Sequence, residues 1–346
     1  MIDILSYKKN NLIVGRGSTA IYLALKNAEI QNKEIIIPAN ICYAAVFPII
    51  LSGNTPVFCD VNPIDGNIDF ENVLSVFTEN TSAVIVPHMY GNPLKSIIDI
   101  SNFAKKNDLI LIEDCASCMG GFADYGNVGT IGDYVIYSTG HSKTVDIGNG
   151  GILSSDFDLS LAKNIYKSLP LYNDKINSDL DVFSKFYRLI RNNPNTAWSN
   201  IIYSGLHTLA KDLFLYRADT ELEKDIYSSI SKLDSIIKER RKCADLYDTL
   251  LIENQYFKKY KFSSGAVPWR YNILIEKDTH DKLIKYLLEN DAFVSDWYPC
   301  VTDIFFNDQK FINAKIHEST ILNFPIPYSE EGIRHICSLI NSFFIR

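Results

Sequence analysis

LILIEDCASCMGGFADYGNVGTIGDYVIYSTGHSKTVDIGNGGILSS, residues 109–155, decides the fold. It contains three short apolar runs, LILIEDC (109–115), DYVIYST (133–139) and GGILSS (150–155), each bounded by glycine or polar residues and too short for a helix. Upstream, EIIIPA (34–39), TPVFCDV (55–61) and SAVIVPHMY (82–90) repeat the pattern. The segments STAIYLALKNAEI (18–30) and SIIDISNFAKKND (96–108) carry apolar residues at helical spacing instead. Runs rich in Ile and Val that alternate with amphipathic helices predict an α/β chain whose mostly parallel sheet is covered on both faces.

Downstream the pattern weakens. Residues 160–216 are polar and irregular, with NNPN near the middle, and no element is assigned there. One long helix is predicted from about Thr220 to Asn254, with Leu222, Ile226, Ile230, Leu233, Ile237, Ala244, Tyr247 and Leu250 at three- and four-residue steps. RYNILIEK then reads as a strand, and DKLIKYLLEND and EEGIRHICSLINSFF as helices. The expected division is a large domain over residues 1–240 and a smaller α+β domain over 241–346.

Composition narrows the function. The chain has 346 residues, 47% of them hydrophobic, which is enough for a sizeable core. Its net charge of −7, with basic residues spread along the chain, argues against a nucleic-acid partner. The start, MIDILSYKKNN, lacks the features of an export signal, and no apolar run has a spanning helix's length, so a soluble, cytoplasmic protein without membrane contact is expected. Seven scattered cysteines then read as reduced thiols, and the Cys115/Cys118 spacing as packing after a buried strand.

In an open α/β sheet ligands bind at the carboxyl ends of the strands, so the polar residues there are the candidates. Gly15-Arg16-Gly17-Ser18-Thr19 precedes a helix, whose free amides and dipole would face an anion; equally, Ser18 or Thr19 serves as a simple cap. Asp114 ends an apolar strand, where a carboxylate needs a partner to stay ionised. A protonated pyridine nitrogen is one such partner, and a loop cap or salt bridge is the plainer reading. Lys143 lies in a glycine-rich loop; alone it is a solvated lysine, but in a pocket it is a nucleophilic amine. An anion-binding helix start, a strand-end acid and a loop lysine together match what pyridoxal 5'-phosphate (PLP) requires: a phosphate cradle, a partner for the ring nitrogen and an amine for the aldehyde.

The chain resembles the DegT/DnrJ/EryC1/StrS sugar aminotransferases, in GSTAIYLAL, IIIPANICYAA, GNTPVFCDV, VPHMYGNP, LILIEDCASCMGG and VGTIGDYVIYSTGHSKTVDIGNGG, and more loosely in ERRKCADLYDTLL. The resemblance implies the aspartate aminotransferase fold (fold type I), with a mostly parallel seven-stranded sheet between helices and a smaller C-terminal α+β domain. It also implies that Ser18, Thr19 and Ser138 bind the cofactor phosphate, that Asp114 meets the pyridine nitrogen, and that Lys143 bonds the aldehyde. Several positions depart from the family. Ser117 stands where Gln or His contacts the ring hydroxyl. Cys42, with Tyr43 beside it, stands where an aromatic ring covers the pyridine. Leu215-Tyr216-Arg217 replaces an Asn-x-Arg that reaches the neighbouring subunit, leaving Arg217 to serve the partner's site or a surface salt bridge.

Four residues are candidate substrate contacts. His88 ends a shared motif, with a structural hydrogen bond as its alternative role. His141, two residues before the lysine, either orients the loop or meets substrate. Arg217 has the two readings above, and Arg270 in PWRYNILIEK suits a carboxylate or phosphate. The implied reaction moves an amino group from L-glutamate to a nucleotide-linked keto-deoxysugar for a surface polysaccharide, in a homodimer with its active site at the subunit interface. The alternatives are a PLP enzyme acting on a small phosphorylated ketone or decarboxylating an amino acid derivative, and a catalytically silent PLP-fold regulatory protein.

Overall fold

The computed structural model describes residues 2–192, 210–211, 213–305 and 310–344. Its large sheet is built from β1 (Asn10–Val14), β2 (Glu34–Pro38), β3 (Thr55–Cys59), β4 (Thr81–Pro87), β5 (Ile110–Asp114), β8 (Tyr134–Ser138) and β9 (Gly151–Ser155). A two-stranded ribbon, β6 (Phe122–Ala123) and β7 (Gly126–Asn127), interrupts the series. The order across the sheet is β1-β9-β8-β5-β4-β2-β3. The four pairings among β3, β2, β4, β5 and β8 are parallel, and β9 runs against both its neighbours. The expected mostly parallel, seven-stranded sheet is therefore present. Six strands coincide with the apolar runs; β1, only five residues long with two asparagines at its start, was not among them.

This topology brings the chemistry to one edge. β1, β5 and β8 all end there, and because β9 is reversed, its first residue Gly151 is there too. The turn after β1, Asp114, and the loop from Thr139 to Gly150 therefore share one side of the sheet. Strands β8 and β9 are buried at every position, as expected of a sheet covered on both faces.

Two expectations about the second half need correction. Residues 160–216 are not irregular throughout: they hold α5 (Ser160–Lys167) and the 19-residue α6 (Asp174–Asn192), while 193–209 and 212 lie outside the described residues. Polar surfaces hid the apolar faces of these helices; Phe183 and Tyr187, four residues apart on α6, are both buried. The predicted single helix from 220 to 254 is two, Thr220–Ile230 and Leu233–Leu250, separated at Ser231 and Lys232. Both pieces keep the three- and four-residue step of a helix, so periodicity alone could not show the break.

The helix Leu233–Leu250 belongs to two cores. Leu233 and Ile237 pack with Val128, Val135 and Val145 beside the large sheet. Cys243, Ala244 and Tyr247 pack with Tyr271, Leu322 and Phe324. These last come from a three-stranded antiparallel sheet, β10 (Phe257–Lys259), β11 (Tyr271–Ile275) and β12 (Ile321–Phe324), covered by the helices Lys277–Glu289 and Glu330–Phe343. The smaller α+β unit is thus as expected in composition. All seven cysteines are free thiols. No helix among the described residues is long and apolar enough to cross a membrane.

Candidate active site

A cavity of about 520 Å³ opens at the carboxyl edge of the sheet. Of the predicted site residues, Ser18, Cys42, Tyr43, Asp114, Ser138, His141, Lys143 and Arg270 line it. Thr19, Ser117, His88 and Arg217 do not.

The anion-binding end is built by α1 (Gly17–Asn27), whose first turn has no side-chain cap, so no capping side chain competes with a ligand for its amides. A Cβ on Gly17 would lie 3.2 Å from the Cβ of Ser138, a tight contact that would crowd this junction. Ser18 donates its hydroxyl to the Ala44 carbonyl (2.7 Å) and would have to rotate to serve an anion. The Thr19 hydroxyl is buried and bonded to the carbonyls of Phe214 (3.0 Å) and Tyr216 (3.3 Å), behind the turn. Arg16, lying over the Phe214 ring at 5.1 Å, supplies a cation with no carboxylate partner among the described residues. Leu215 and Tyr216, which replace the expected Asn-x segment, are core residues, and the Tyr216 ring fills the space a side chain at Gly15 would need.

Asp114 accepts a hydrogen bond from the Ala116 amide (2.9 Å). Burial pushes its carboxyl above the ordinary range, with nearby Lys143 pulling the other way. Glu113, facing the opposite side of the strand, is buried and spent on structure. It accepts from the amides of Gly129 (2.6 Å), Ile131 (3.0 Å) and Gly132 (2.8 Å), and from His88 Nε2 at 3.1 Å. Burial alone would raise its pKa, but His88 and the amides hold it below the ordinary value. His88 Nδ1 accepts from the Leu94 amide (2.8 Å), so the ring is locked as a strut. Cys115 lies close to this pair, but amide hydrogens aimed at the carboxylate leave no room for a metal ion.

Lys143 sits in a loop that is tied down on every side. Within it, Asp146 accepts from the amides of Ser142 (2.7 Å) and Gly148 (3.1 Å). At Gly150 (φ +101°) a Cβ would lie 2.3 Å from Thr139 Oγ1, so the backbone can close only over glycine. From the other half of the chain, the Trp269 indole donates to the Ser142 carbonyl. The Arg240 guanidinium donates to the carbonyls of Lys143 (2.6 Å) and Thr144 (3.2 Å), and also to those of Pro268 (3.2 Å), Trp269 (3.0 Å) and Ile326 (3.0 Å). Arg240 is only 2% exposed. Burial lowers its pKa to about 10.

Around the amine, burial favours the neutral form of Lys143, while Tyr298, Cys42 and Asp114 outweigh it and raise the pKa. Tyr43 lines the cavity, but its ring packs on Tyr187 (4.2 Å) and Phe183 (5.5 Å) of α6. His141 is exposed at the rim, 3.8 Å from Asp146. Arg270 donates to the hydroxyls of Ser295 (2.7 Å) and Ser142 (3.3 Å) and lies over the rings of Trp269 and Phe293. No carboxylate among the described residues pairs with it. Arg217 points elsewhere, with Nε on the Leu169 carbonyl (2.8 Å).

Sequence reasoning missed Arg16, Arg240, Trp269, Trp297, Tyr298 and the polar face of α6. Asn177, Asp181 and Ser184 of that face line the cavity, and their spacing of four and three residues was a readable signal. An open helix start beside Arg16, a buried acid and a buried amine fit the phosphate, ring nitrogen and aldehyde of PLP respectively.

Comparison with known proteins agrees. Residues 5–169 match the DegT/DnrJ/EryC1/StrS aminotransferase family. A GDP-perosamine synthase of Vibrio cholerae is 25% identical over 97% of this chain and 87% of its own length. A pleiotropic regulatory protein of Geobacillus stearothermophilus is 33% identical over 52% of this chain and 51% of its own. The aminotransferase TlmJ of Streptoalloteichus hindustanus superposes with a TM-score of 0.79 over 99% of this chain and 89% of its own; at 17% identity it supports the fold alone. Residues 5–169 therefore place this part of the chain in the DegT/DnrJ/EryC1/StrS aminotransferase family, and the protein is a PLP-dependent aminotransferase.

Proposed function

We propose that this enzyme transfers the amino group of L-glutamate to the keto group of a nucleotide-linked deoxysugar, working as a cytoplasmic homodimer in surface-polysaccharide synthesis. The observation that carries the substrate side is Arg270. It is a cation at the cavity, bonded among the described residues only to hydroxyls, beside Trp269 and Phe293, in a chain of net charge −7. Such a group is kept available for an anion, and a carboxylate or diphosphate matches its planar fork. The GDP-linked product in the name of the Vibrio cholerae relative supports a nucleotide-linked acceptor.

PLP, when bound, supplies an aldehyde that takes up the amino group and a ring that accepts electrons. The chain's residues do the rest. The α1 amides, with Ser18, Ser138 and Arg16, would hold the phosphate. Asp114 keeps a proton on the ring nitrogen, a charged partner that would also relieve the cost of burying its carboxylate. Lys143 Nζ removes and returns the proton on the substrate carbon, and the pinned loop keeps that nitrogen in place. Asn177, Asp181 and Ser184 on the polar face of α6 line the same cavity and would meet the acceptor. Among the described residues Arg217 is engaged through Nε, and its remaining donors would reach a partner subunit.

The test is spectroscopic. The loaded protein should show the visible band of lysine-bound cofactor, glutamate should abolish it, and a nucleotide-linked keto sugar should restore it. Persistence of the band in Lys143→Ala would sink the lysine assignment. A band that glutamate leaves untouched would sink the donor, and recovery only with small phosphorylated ketones would replace the sugar. A purely regulatory protein would not need Lys143 and Asp114 together in one cavity.

A further inference from the structure

Tyr298 is the residue near the reactive amine that family motifs did not indicate. It is buried, its ring stacks on Trp269 with centroids 5.2 Å apart, it lines the same cavity as Lys143, and its hydroxyl lies near Lys143 and Ser117. It is placed by a chain of hydrogen bonds whose direction can be worked out atom by atom. The Pro63 carbonyl can only accept, so His317 Nδ1, 2.9 Å away, carries the proton. Burial lowers the His317 pKa to about 4, so the ring is neutral and Nε2 is an acceptor. Tyr90 therefore donates its hydroxyl to Nε2 (3.0 Å) and, with a lone pair, accepts the Tyr298 amide (3.1 Å). Tyr90 is itself fully buried, so each link excludes water.

At the far end of this chain the phenol has one proton and two lone pairs. Burial raises its pKa, which keeps the proton on the oxygen. The proton can go to the Ser117 hydroxyl, and a lone pair then remains for the Lys143 nitrogen. This gives Ser117 a use of its own, although it cannot replace the longer Gln or His of the family.

We propose that Tyr298 is a catalytic residue: its hydroxyl accepts a hydrogen bond from the protonated Lys143 nitrogen and so sets the pH at which that nitrogen becomes a base. The other groups facing Lys143 are Asp114, from the end of β5, and Cys42, from the start of the helix after β2. Arg270 faces Tyr298 from the small domain, and Arg240 meets Lys143 at its backbone carbonyl rather than at its amine. With the Asp114 charge paired to a ring nitrogen, Tyr298 is the main remaining support for the lysine's proton.

The proposal rests on Lys143 being the cofactor-bearing amine, and the test separates the two. In the PLP-loaded full-length protein, the pH midpoint of the visible band should fall by about one unit in Tyr298→Phe, the worth of one hydrogen bond to a charged group. In the same chain stripped of cofactor, the pH midpoint for acetylation of Lys143, followed by peptide mass spectrometry, should fall similarly. Tyr90→Phe, which breaks the supporting chain and leaves the phenol in place, should shift both midpoints in the same direction by less. Phenylalanine keeps the stack on Trp269, and thermal melting checks that both variants fold. Unmoved midpoints in Tyr298→Phe overturn the proposal. A shifted acetylation midpoint without any visible band overturns the cofactor assignment and leaves Tyr298 standing.

Discussion

Replacing Arg240 by methionine removes every donor from the buried junction between the Lys143 loop and the small domain, while keeping a long, unbranched stem. Five carbonyls lose a charged donor, those of Lys143, Thr144, Pro268, Trp269 and Ile326. Hydrogen bonds from a charged group contribute about 1.5–3 kcal/mol each, which would be a large gross loss. Against it stands the cost of burying the guanidinium, visible in its pKa lowered to about 10. Breaking a buried charged network typically leaves a net loss of about 3 kcal/mol, which corresponds to a fall in melting temperature of roughly 4 °C in a chain of 346 residues. Arg240→Lys, a point charge with three donors, cannot reach all five carbonyls and should lose about half as much. Because two of the five are the carbonyls of Lys143 and Thr144, the loss should also appear at the amine. The loaded Arg240→Met variant should hold a smaller fraction of lysine-bound cofactor at a given PLP concentration. Thermal melting together with PLP titration in the visible band measures both effects. An Arg240→Met protein that melts within about 1 °C of the parent and binds PLP equally well would refute the argument, since water would then have replaced all five donors at no cost.

Other outcomes follow from the same geometry. Asp114 has a raised carboxyl pKa in the folded chain, so its contribution to the stability of the cofactor-free protein is complete at low pH and is lost as pH rises through that value. Asp114→Asn should therefore be more stable than the parent at about pH 7 and not at about pH 4, yet bind PLP more weakly; denaturant titrations at the two pH values check this, and a gap independent of pH would contradict it. Glu113 behaves oppositely: its folded pKa is held low, so its stabilisation is lost as pH falls through that value. Glu113→Gln turns an amide group toward backbone donors and should cost about 3 kcal/mol in the same denaturant measurement at neutral pH. Gly150→Ala meets Thr139 at a positive φ and strains the bond from the Gly150 amide to the Gly15 carbonyl (2.8 Å). Its PLP affinity by equilibrium dialysis should fall at least about tenfold, the effect of 1.4 kcal/mol of strain.

The large sheet was legible because its strands are buried on both faces and read as continuous apolar runs. β1 escaped because a five-residue edge strand beginning Asn-Asn offers no such run. The cofactor half of the site was legible for a related reason: Ser18, Asp114, Ser138 and Lys143 lie within a few residues of strand ends, where topology alone dictates placement. The other half comes from side chains distant in sequence. Arg240 lies on a helix face that reads as ordinary packing, and Trp269 and Tyr298 precede no motif. Their convergence on Lys143 depends on how the small sheet docks, which periodicity does not encode. A hydroxyl at a helix start, such as that of Thr19, suits an anion as well as it suits the carbonyls of Phe214 and Tyr216, and the sequence does not choose between them. His88 illustrates the converse, a histidine in a motif whose two nitrogens are both occupied by structure.

The ties on the Lys143 loop have a consequence for the order in which the molecule is made. A chain that has left the ribosome through Ser155 already holds all seven strands of the large sheet, and Lys143 with them. It holds none of Arg240, Trp269 or Tyr298. Contacts that close over 97 and 127 residues form late, since each must overcome the entropy of a long loop before it can contribute. The sheet can therefore be complete while the lysine is still loosely held, and the amine acquires its fixed address only when the last third of the polypeptide has been synthesised and docked.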